Sequence, residues 1–422
     1  MVMTRSLPAS AHLSLPSSVL RLTSSEARIP AMTIQEATNP QEWDAFLATQ
    51  TFRPFLQSWT MGEVYRDTKQ EPIRLEVREG QEIVAICLAI LVPARRGRHL
   101  MIPYGPVMRS TEYGVQSTEV FNLLLEKLKR VAKEHRCSFI RMSPFWPSDF
   151  PSSRVPSAIP SPLHLLAEHL WYLPLQTPDP WQFNSPLTAG EGLGVRGTHR
   201  TEEELLAGLR KTTRNLVRRA ERDGVTVEAS KDPNREIEHF IALHEEPRQR
   251  HGFTPYTHAF FRSQVRRFSA RNECTLYLAR FQGEVAAASI HMHAFGECSY
   301  HHGASTHRLS KVPTSYLLQW TAIRDALKRG DHVYNFWGIA PVIGNRESGI
   351  GPRTSEQEQG SSRSPNPESR IPSSHPFAGV TLFKTGFGGG LLPLTHCMDF
   401  PLSARYHLTR AFELLRKWRR GF

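Results

Sequence analysis

Apolar and polar positions spell the same order of elements twice along this chain. In the first half, Asn39-Pro40-Gln41-Glu42 opens a helix. Asn39 can cap it, Pro40 suits its first position and Glu42 can reach back as in a capping box. Trp43, Phe46 and Leu47 then mark one buried face. Ile73 to Val77 and Ile83 to Val92 read as strands paired around the turn Gly80-Gln81. A helix from Thr118 to His135 follows, with Val120, Leu124, Leu128 and Val131 at helical spacing, and then a strand from Ser138 to Met142.

The second half opens on Thr201-Glu202-Glu203-Glu204, a capping box ahead of Leu205, Leu206, Leu209 and Leu216. Asp232-Pro233 starts another helix with Ile237, Phe240 and Ile241 facing inward, which Pro247 should end or kink. Strands are expected at Leu276 to Phe281, Val285 to His293 and Tyr300 to Ser305, the first two joined by the turn Gln282-Gly283. A helix from about Pro313 to Arg329 stops at Gly330 and precedes the strand Val333 to Trp337. Val380 to Phe383 reads as one more strand, and Tyr406 to Trp418 as a basic amphipathic helix with Leu408, Phe412 and Leu415 on one side. Strand, hairpin, strand, helix, strand is the core order of an acyl-CoA N-acyltransferase-like α/β domain. A pattern repeated in both halves points to two tandem units.

Two stretches lack periodicity and are expected as mobile insertions, 178–198 and 343–375, because their composition cannot bury enough apolar surface. Residues 1–31 are rich in Ser, Pro and Arg and have no continuous hydrophobic core, so a secretory signal is not expected. A disordered or mis-started extension, with a true start at Met32, is the simpler expectation. The domains then run 32–165 together with 395–422, and 166–394.

Charge and cysteines narrow the function classes. A net charge of +12 favours an anionic partner: a nucleic acid, a sugar phosphate or a membrane surface. Five cysteines, none in Cys-x-x-Cys spacing, argue against a disulfide framework or a zinc site and fit a reducing cytosol. No apolar run approaches the roughly eighteen residues of a membrane span.

Four motifs carry candidate chemistry. Gly192-Leu193-Gly194-Val195-Arg196-Gly197 matches a dinucleotide fingerprint but follows no strand, so it is set aside. His291, His293, His301, His302 and His307 cluster in sequence without a nearby carboxylate, with His301 and His302 expected on opposite strand faces. Cleft-lining histidines are expected rather than a metal site, with His302 assigned to substrate and one of the set able to accept a proton. The helix from Glu202 to Arg222 carries Arg210, Lys211, Arg214, Arg218, Arg219 and Arg222, too many of one sign for pairing along the helix to absorb. Arg214, Arg218 and Arg219 are therefore candidate phosphate contacts. Finally, Phe383-Lys384-Thr385-Gly386-Phe387-Gly388-Gly389-Gly390 places a lone lysine at an expected strand end before glycines that admit close approach of a ligand. Such a lysine can stabilise an oxyanion or a phosphate.

Taken together, Phe55-Leu56-Gln57-Ser58-Trp59, Pro103-Tyr104-Gly105-Pro106-Val107, Arg210-Lys211-Thr212-Thr213-Arg214-Asn215, Gly303-Ala304-Ser305, Tyr316-Leu317-Leu318-Gln319-Trp320 and the lysine–glycine segment resemble the FemXAB-type aminoacyltransferases of peptidoglycan bridge synthesis. The resemblance runs from about Trp43 to Tyr406 outside the two insertions. It implies two acyltransferase-like domains, a C-terminal helix that returns to the first, and no cofactor. It also implies transfer of an amino acid from aminoacyl-tRNA to the peptide stem of a lipid-linked or UDP-linked peptidoglycan precursor. The enzyme would be cytoplasmic, with transient contact at the inner face of the membrane. The family lysine falls on Lys384, whose implied role is oxyanion stabilisation.

Three positions depart from the family pattern. Tyr65, with Arg66 beside it, replaces a common lysine; Ser143 replaces an acidic residue; Tyr256 stands where an arginine is usual. Tyr65, Arg66 and Tyr256 are therefore carried as substrate-binding candidates with altered chemistry. A CoA-dependent N-acyltransferase is the alternative, although the glycine-rich pyrophosphate loop it needs is not evident between Tyr300 and Pro313. A non-catalytic nucleic-acid or membrane-surface binding protein would leave Lys384 and its glycines unexplained.

Overall fold

The computed structural model describes residues 32–94, 97–109, 115–148, 155, 157–181, 197–251, 256–341 and 375–420. The first half supplies β1 (Met32–Glu36), β2 (Pro72–Glu79), β3 (Glu82–Val92), β4 (His99–Pro103), β5 (Val107–Met108), β6 (Phe139–Ser143) and β7 (Ile159–Pro160). Next come β8 (His169–Pro174), β9 (Gln176–Thr177), β10 (Thr198–His199), β11 (Thr226–Ala229) and β12 (Cys274–Phe281). The chain ends its strands with β13 (Glu284–Ala294), β14 (Glu297–Ser305), β15 (Val333–Gly338), β16 (Gly390–Pro393) and β17 (Met398–Pro401). One sheet is ordered β1-β2-β3-β4-β6-β17-β7, with β5 against β3; the other is ordered β11-β12-β13-β14-β15-β8-β16.

The two sheets repeat one plan. In the first, β3 pairs antiparallel with β4, the helix Val115–Glu134 crosses over, and β6 lies parallel to β4. In the second, β13 pairs antiparallel with β14, the helix Thr314–Arg329 crosses over, and β15 lies parallel to β14. The fold is thus the tandem α/β architecture the pattern anticipates. The closing strands come from elsewhere: β8 leaves the first half to sit between β15 and β16, and β17 returns to pair with β6.

Helices cover both faces of each sheet. Val120, Leu124 and Leu128 pack on Val77, Val84 and Ile140 in one core. Leu317, Trp320 and Ile323 pack with Val217, Tyr277 and Phe336 in another. A third core lies between the halves, where Trp43, Met61 and Val64 meet Phe240, Phe261 and Leu276. The returning C-terminal segment is tied in by a buried ion cluster. Arg141 donates to both oxygens of Asp399 at 2.7 and 2.9 Å and to Glu413 at 2.7 Å. Fork-to-carboxylate geometry of this kind fixes orientation as well as charge.

Local signals hold where local chemistry decides. Asn39 accepts from the backbone of Gln41 and Glu42, and Thr201 with Glu204 forms a complete capping box. Gln282 and Gly283 both take positive φ, 50° and 83°, as a tight hairpin turn needs. Gly330 ends its helix in the left-handed conformation. Two expectations need correction. The helix Pro233–His251 does not end at Pro247, and Val380 to Phe383 lies in a helix, Ala378–Thr385, not a strand. Thr381 explains the second: its hydroxyl donates to Phe377 O within the helix and accepts from Ala340 N beyond β15, so tertiary bonding overrides a run of strand-forming residues. The strand Met32–Glu36, ahead of the expected folded start, pairs with β2.

Residues 1–31, most of the expected insertions and most of the Gly192 motif lie outside the described residues. No described helix is long and apolar enough to cross a membrane.

Candidate active site

The second sheet opens at one point. β14 and β15 pair in parallel over Glu297–Val333, Cys298–Tyr334 and Ser299–Asn335, and no pairing follows although both strands continue. Lys384 fills one side of this split. Its Nζ donates to Gly338 O at 2.6 Å and lies 5.7 Å from the centre of the Tyr300 ring. The side chain is 7% exposed, and burial alone pulls its pKa down to about 7. Lys384 therefore sits at the end of a helix rather than of a strand, poised between charged and neutral forms near neutral pH.

The glycines after Lys384 shape the same corner. Gly386 O accepts from Arg210 N at 2.9 Å, and the Arg210 guanidinium donates to Thr385 Oγ1 at 3.0 Å. Trp171 Nε1 donates to Gly388 O at 2.6 Å. Gly389 has φ 97°, and a Cβ there would stand 2.0 Å from Tyr172 O, so only glycine fits. The helix Lys211–Arg222 thus begins against the lysine–glycine turn. Arg214 is half-buried one turn along, while Arg218 and Arg219 are exposed. Arg219 pairs with Asp223 at 3.2 Å; Arg214 and Arg218 have no ion pair among the described residues.

On the opposite face of the split stand histidines and aromatics. The β13–β14 register steps from His291–Tyr300 to Ile290–His302, leaving His301 as a bulged extra residue. The bulge turns both imidazoles to one side, their centres 3.8 Å apart, so the expectation of opposite faces is corrected. Both ring nitrogens of His301 and Nε2 of His302 are buried without a partner among the described residues. Burial drives the His301 pKa down to about 3 and that of His302 well below the ordinary range, so both rings are neutral. His302 contacts Tyr256 at 5.2 Å, and Tyr256 stacks on Phe260 at 4.4 Å. Tyr65 reaches the same cluster through Phe260 at 6.4 Å, and burial keeps its hydroxyl protonated.

The remaining histidines disperse. His291 bonds Tyr334 OH at 2.7 Å inside the core, His293 pairs with Asp331 at 2.9 Å, and His307 lies on the surface. Arg66 also stands apart, its guanidinium held by Glu63 at 2.7 Å and Glu71 at 3.2 Å. The structure therefore gathers Tyr65, Tyr256 and His302 and leaves Arg66 as a surface ion pair. Ser143 is buried at the end of β6.

Three groups escaped the sequence reading of the site. Trp337 takes a positive φ of 68°, a rare state for a bulky residue, with its N–H held by Asn335 Oδ1 at 2.8 Å. Its ring touches His301 at 4.9 Å, Phe55 at 5.9 Å and Tyr104 at 5.4 Å. Tyr104 in turn lines a small hollow of about 20 Å³ in the first half with Phe52, Pro106, Val107, Phe145 and Trp146. Glu297, at the base of the split, is buried with Asn335 and Ser299 on one oxygen and has its pKa raised by burial. Of these, Tyr104 lay in the Pro103–Val107 segment singled out above, while Trp337 and Glu297 carried no signal of their own.

An aromatic wall therefore runs from the hollow through Trp337 to the histidines, with Lys384 across the split. Family profiles match two stretches of the chain, the FemAB family over residues 38–155 and an acetyltransferase (GNAT) domain over residues 207–346; Lys384 lies beyond both. In sequence profile and in fold the chain resembles the FemXAB type. The protein is an acyltransferase with GNAT-like domains. The crystal structure of FemX superposes with a TM-score of 0.66 at 16% identity, covering 90% of this chain and 100% of that one. The C-terminal domain of a lysylphosphatidylglycerol synthetase-type protein from Agrobacterium fabrum gives a TM-score of 0.50 at 12% identity, covering 90% and 96%. At such identities the likeness speaks for the fold. The comparison with curated proteins gives no match.

Proposed function

We propose that this FemXAB-type acyltransferase moves an amino acid from aminoacyl-tRNA onto the peptide stem of a peptidoglycan precursor. The observation that carries the reading is the contact between the arginine-rich helix and the Lys384 corner: Arg210 is bonded to Gly386 and Thr385. A tRNA backbone laid along Arg214 and Arg218 would bring its charged 3′ end toward the split. The halves we assign as domains are 32–165 with 395–422, and 166–394. The precursor's acceptor amine would approach the split past Trp337.

The reaction is direct. A neutral amine of the acceptor attacks the ester carbonyl, a C–N bond forms, and the ester C–O bond breaks to release the ribose hydroxyl. The attacking nitrogen loses a proton, which the departing oxygen needs. Charged Lys384 would stabilise the oxyanion between these steps, and the wall of neutral histidines and Trp337 would exclude water and orient the amine. The ester is already activated, so no covalent enzyme intermediate is required. Lys384 and Thr381 occupy hydrogen-bonding positions along and just beyond β15, which disfavours an extended CoA arm in the split.

We place the enzyme in the cytoplasm with transient contact at the membrane's inner face. The helix Arg405–Arg420 supports that placement. Leu408 is 74% and Trp418 79% exposed, Phe412 and Leu415 join them on the surface, and Arg410, Arg416, Lys417 and Arg419 flank them. An apolar stripe edged with cations suits an anionic lipid surface. The reaction is tested by incubating the protein with a precursor and either aminoacyl-tRNA or acetyl-CoA, then weighing the products. An aminoacyl adduct formed only with charged tRNA is expected; an acetyl adduct, or none, overturns the assignment.

A further inference from the structure

The chain crosses between its two sheets twice, and a His–Glu–His cluster joins the crossings. His164 and Glu168 lie on the outgoing segment before β8; His396 lies on the return between β16 and β17. Glu168 is buried, and one of its oxygens meets His164 Nδ1 at 2.8 Å and His396 Nδ1 at 2.8 Å. Its other oxygen accepts from Cys397 N at 2.9 Å.

The protons in this cluster do not balance with neutral rings. His396 Nε2 lies 2.9 Å from Ser161 O, a carbonyl that can only accept, so Nε2 carries a hydrogen. In the neutral ring Nδ1 then presents a lone pair to a carboxylate oxygen, which repels unless a positive charge lies between. His164 adds its own Nδ1 to the same oxygen. Three ligand atoms, two imidazole nitrogens and a carboxylate oxygen, lie within 4.8 Å of one another. Nδ1 toward the centre and Nε2–H on a backbone carbonyl is the arrangement that orients metal-bound histidine. Half of the His164 side chain is open to solvent, which leaves an entry path and room for water as a fourth ligand.

We propose that His164, Glu168 and His396 bind a divalent transition-metal ion of the zinc type, which clamps the outgoing and returning crossings together. Two histidines and one carboxylate form a donor set such ions accept. The clamp is structural and adjoins the candidate active site. Ala167, next to Glu168, accepts from Tyr104 OH at 2.8 Å, and its Cβ would lie 2.6 Å from a Cβ at Gly338. Ile339 N donates to His169 O at 2.9 Å. The ion would thus stiffen the strip on which Gly338, the partner of Lys384, rests.

The test uses the full-length protein dialysed against a chelator. Zn²⁺ is titrated by calorimetry, Co²⁺ by visible absorption, and melting temperature is followed throughout. Wild type should bind one ion per chain and melt several degrees higher with it. His164→Ala, whose side chain is exposed, should melt like the metal-free wild type and bind on the order of 100-fold more weakly. Glu168→Gln should also lose binding. Wild type that binds no more Zn²⁺ than His164→Ala overturns the proposal. So does a melting temperature that follows pH through the histidine range yet ignores Zn²⁺, which would mean protons alone hold the cluster.

Discussion

The guanidinium of Arg210 donates to the hydroxyl of Thr385 across 3.0 Å, although 175 positions separate them in sequence. Together with the bond from Arg210 N to Gly386 O, it ties the start of the basic helix to the turn that follows Lys384.

Replacing Lys384 with methionine should lower turnover by on the order of 100-fold to 1,000-fold, as for loss of an oxyanion donor. The fold should remain, because methionine matches the buried stem. The wild-type rate should fall as pH rises through about 7, where Lys384 loses its charge, and the mutant should lack that limb. Turnover against pH for both proteins checks it.

Stability should move the other way. Lys384 titrates near 7 in the folded chain, well below an ordinary lysine near ~10.4 in the unfolded one. Between those values the unfolded chain binds more protons, so unfolding free energy rises with pH across that window. Lys384→Met should be more stable than wild type below pH 7 and should lose that rise. Denaturant midpoints at several pH values measure it.

Arg214→Glu should weaken binding of charged tRNA and reduce the salt dependence of affinity by about one phosphate contact. Melting temperature should scarcely change, since Arg214 makes no ion pair among the described residues. Filter binding across salt concentration, with a diphosphate-bearing precursor as second ligand, separates the partners. Unchanged affinity for both would make this face merely solvated.

Leu408→Glu with Trp418→Glu should abolish sedimentation with phosphatidylglycerol vesicles and leave stability within about 0.5 kcal/mol. Both side chains are largely exposed, so no packing is lost. Equal binding of wild type to neutral phosphatidylcholine vesicles would count against the charge argument.

What could be read from the sequence follows from how far each determinant reaches. The Thr201 capping box, the Gln282-Gly283 turn and the Gly330 stop depend on a few neighbours and stand as expected. The doubled element order was legible for the same reason, since each hairpin and crossover helix announces itself locally. Lys384 was legible as a candidate but not in its setting, because Thr381 bonds to Ala340 across the fold. The bulge that brings His301 beside His302 has no signature in residue type. Nor could β8 and β17 be assigned to their sheets from the sequence, since their partners lie far along the chain.

The position of β17 bears on how the molecule is made. A ribosome delivers residues 32–160 early, yet the sheet they form lacks its strand between β6 and β7 until Met398–Pro401 emerges. Arg141 would meanwhile wait, buried side exposed, for Asp399 and Glu413. The N-terminal half should therefore finish last, reversing the usual order of co-translational folding. A nascent chain stalled before Met398 should be far more sensitive to protease in that half than the released protein.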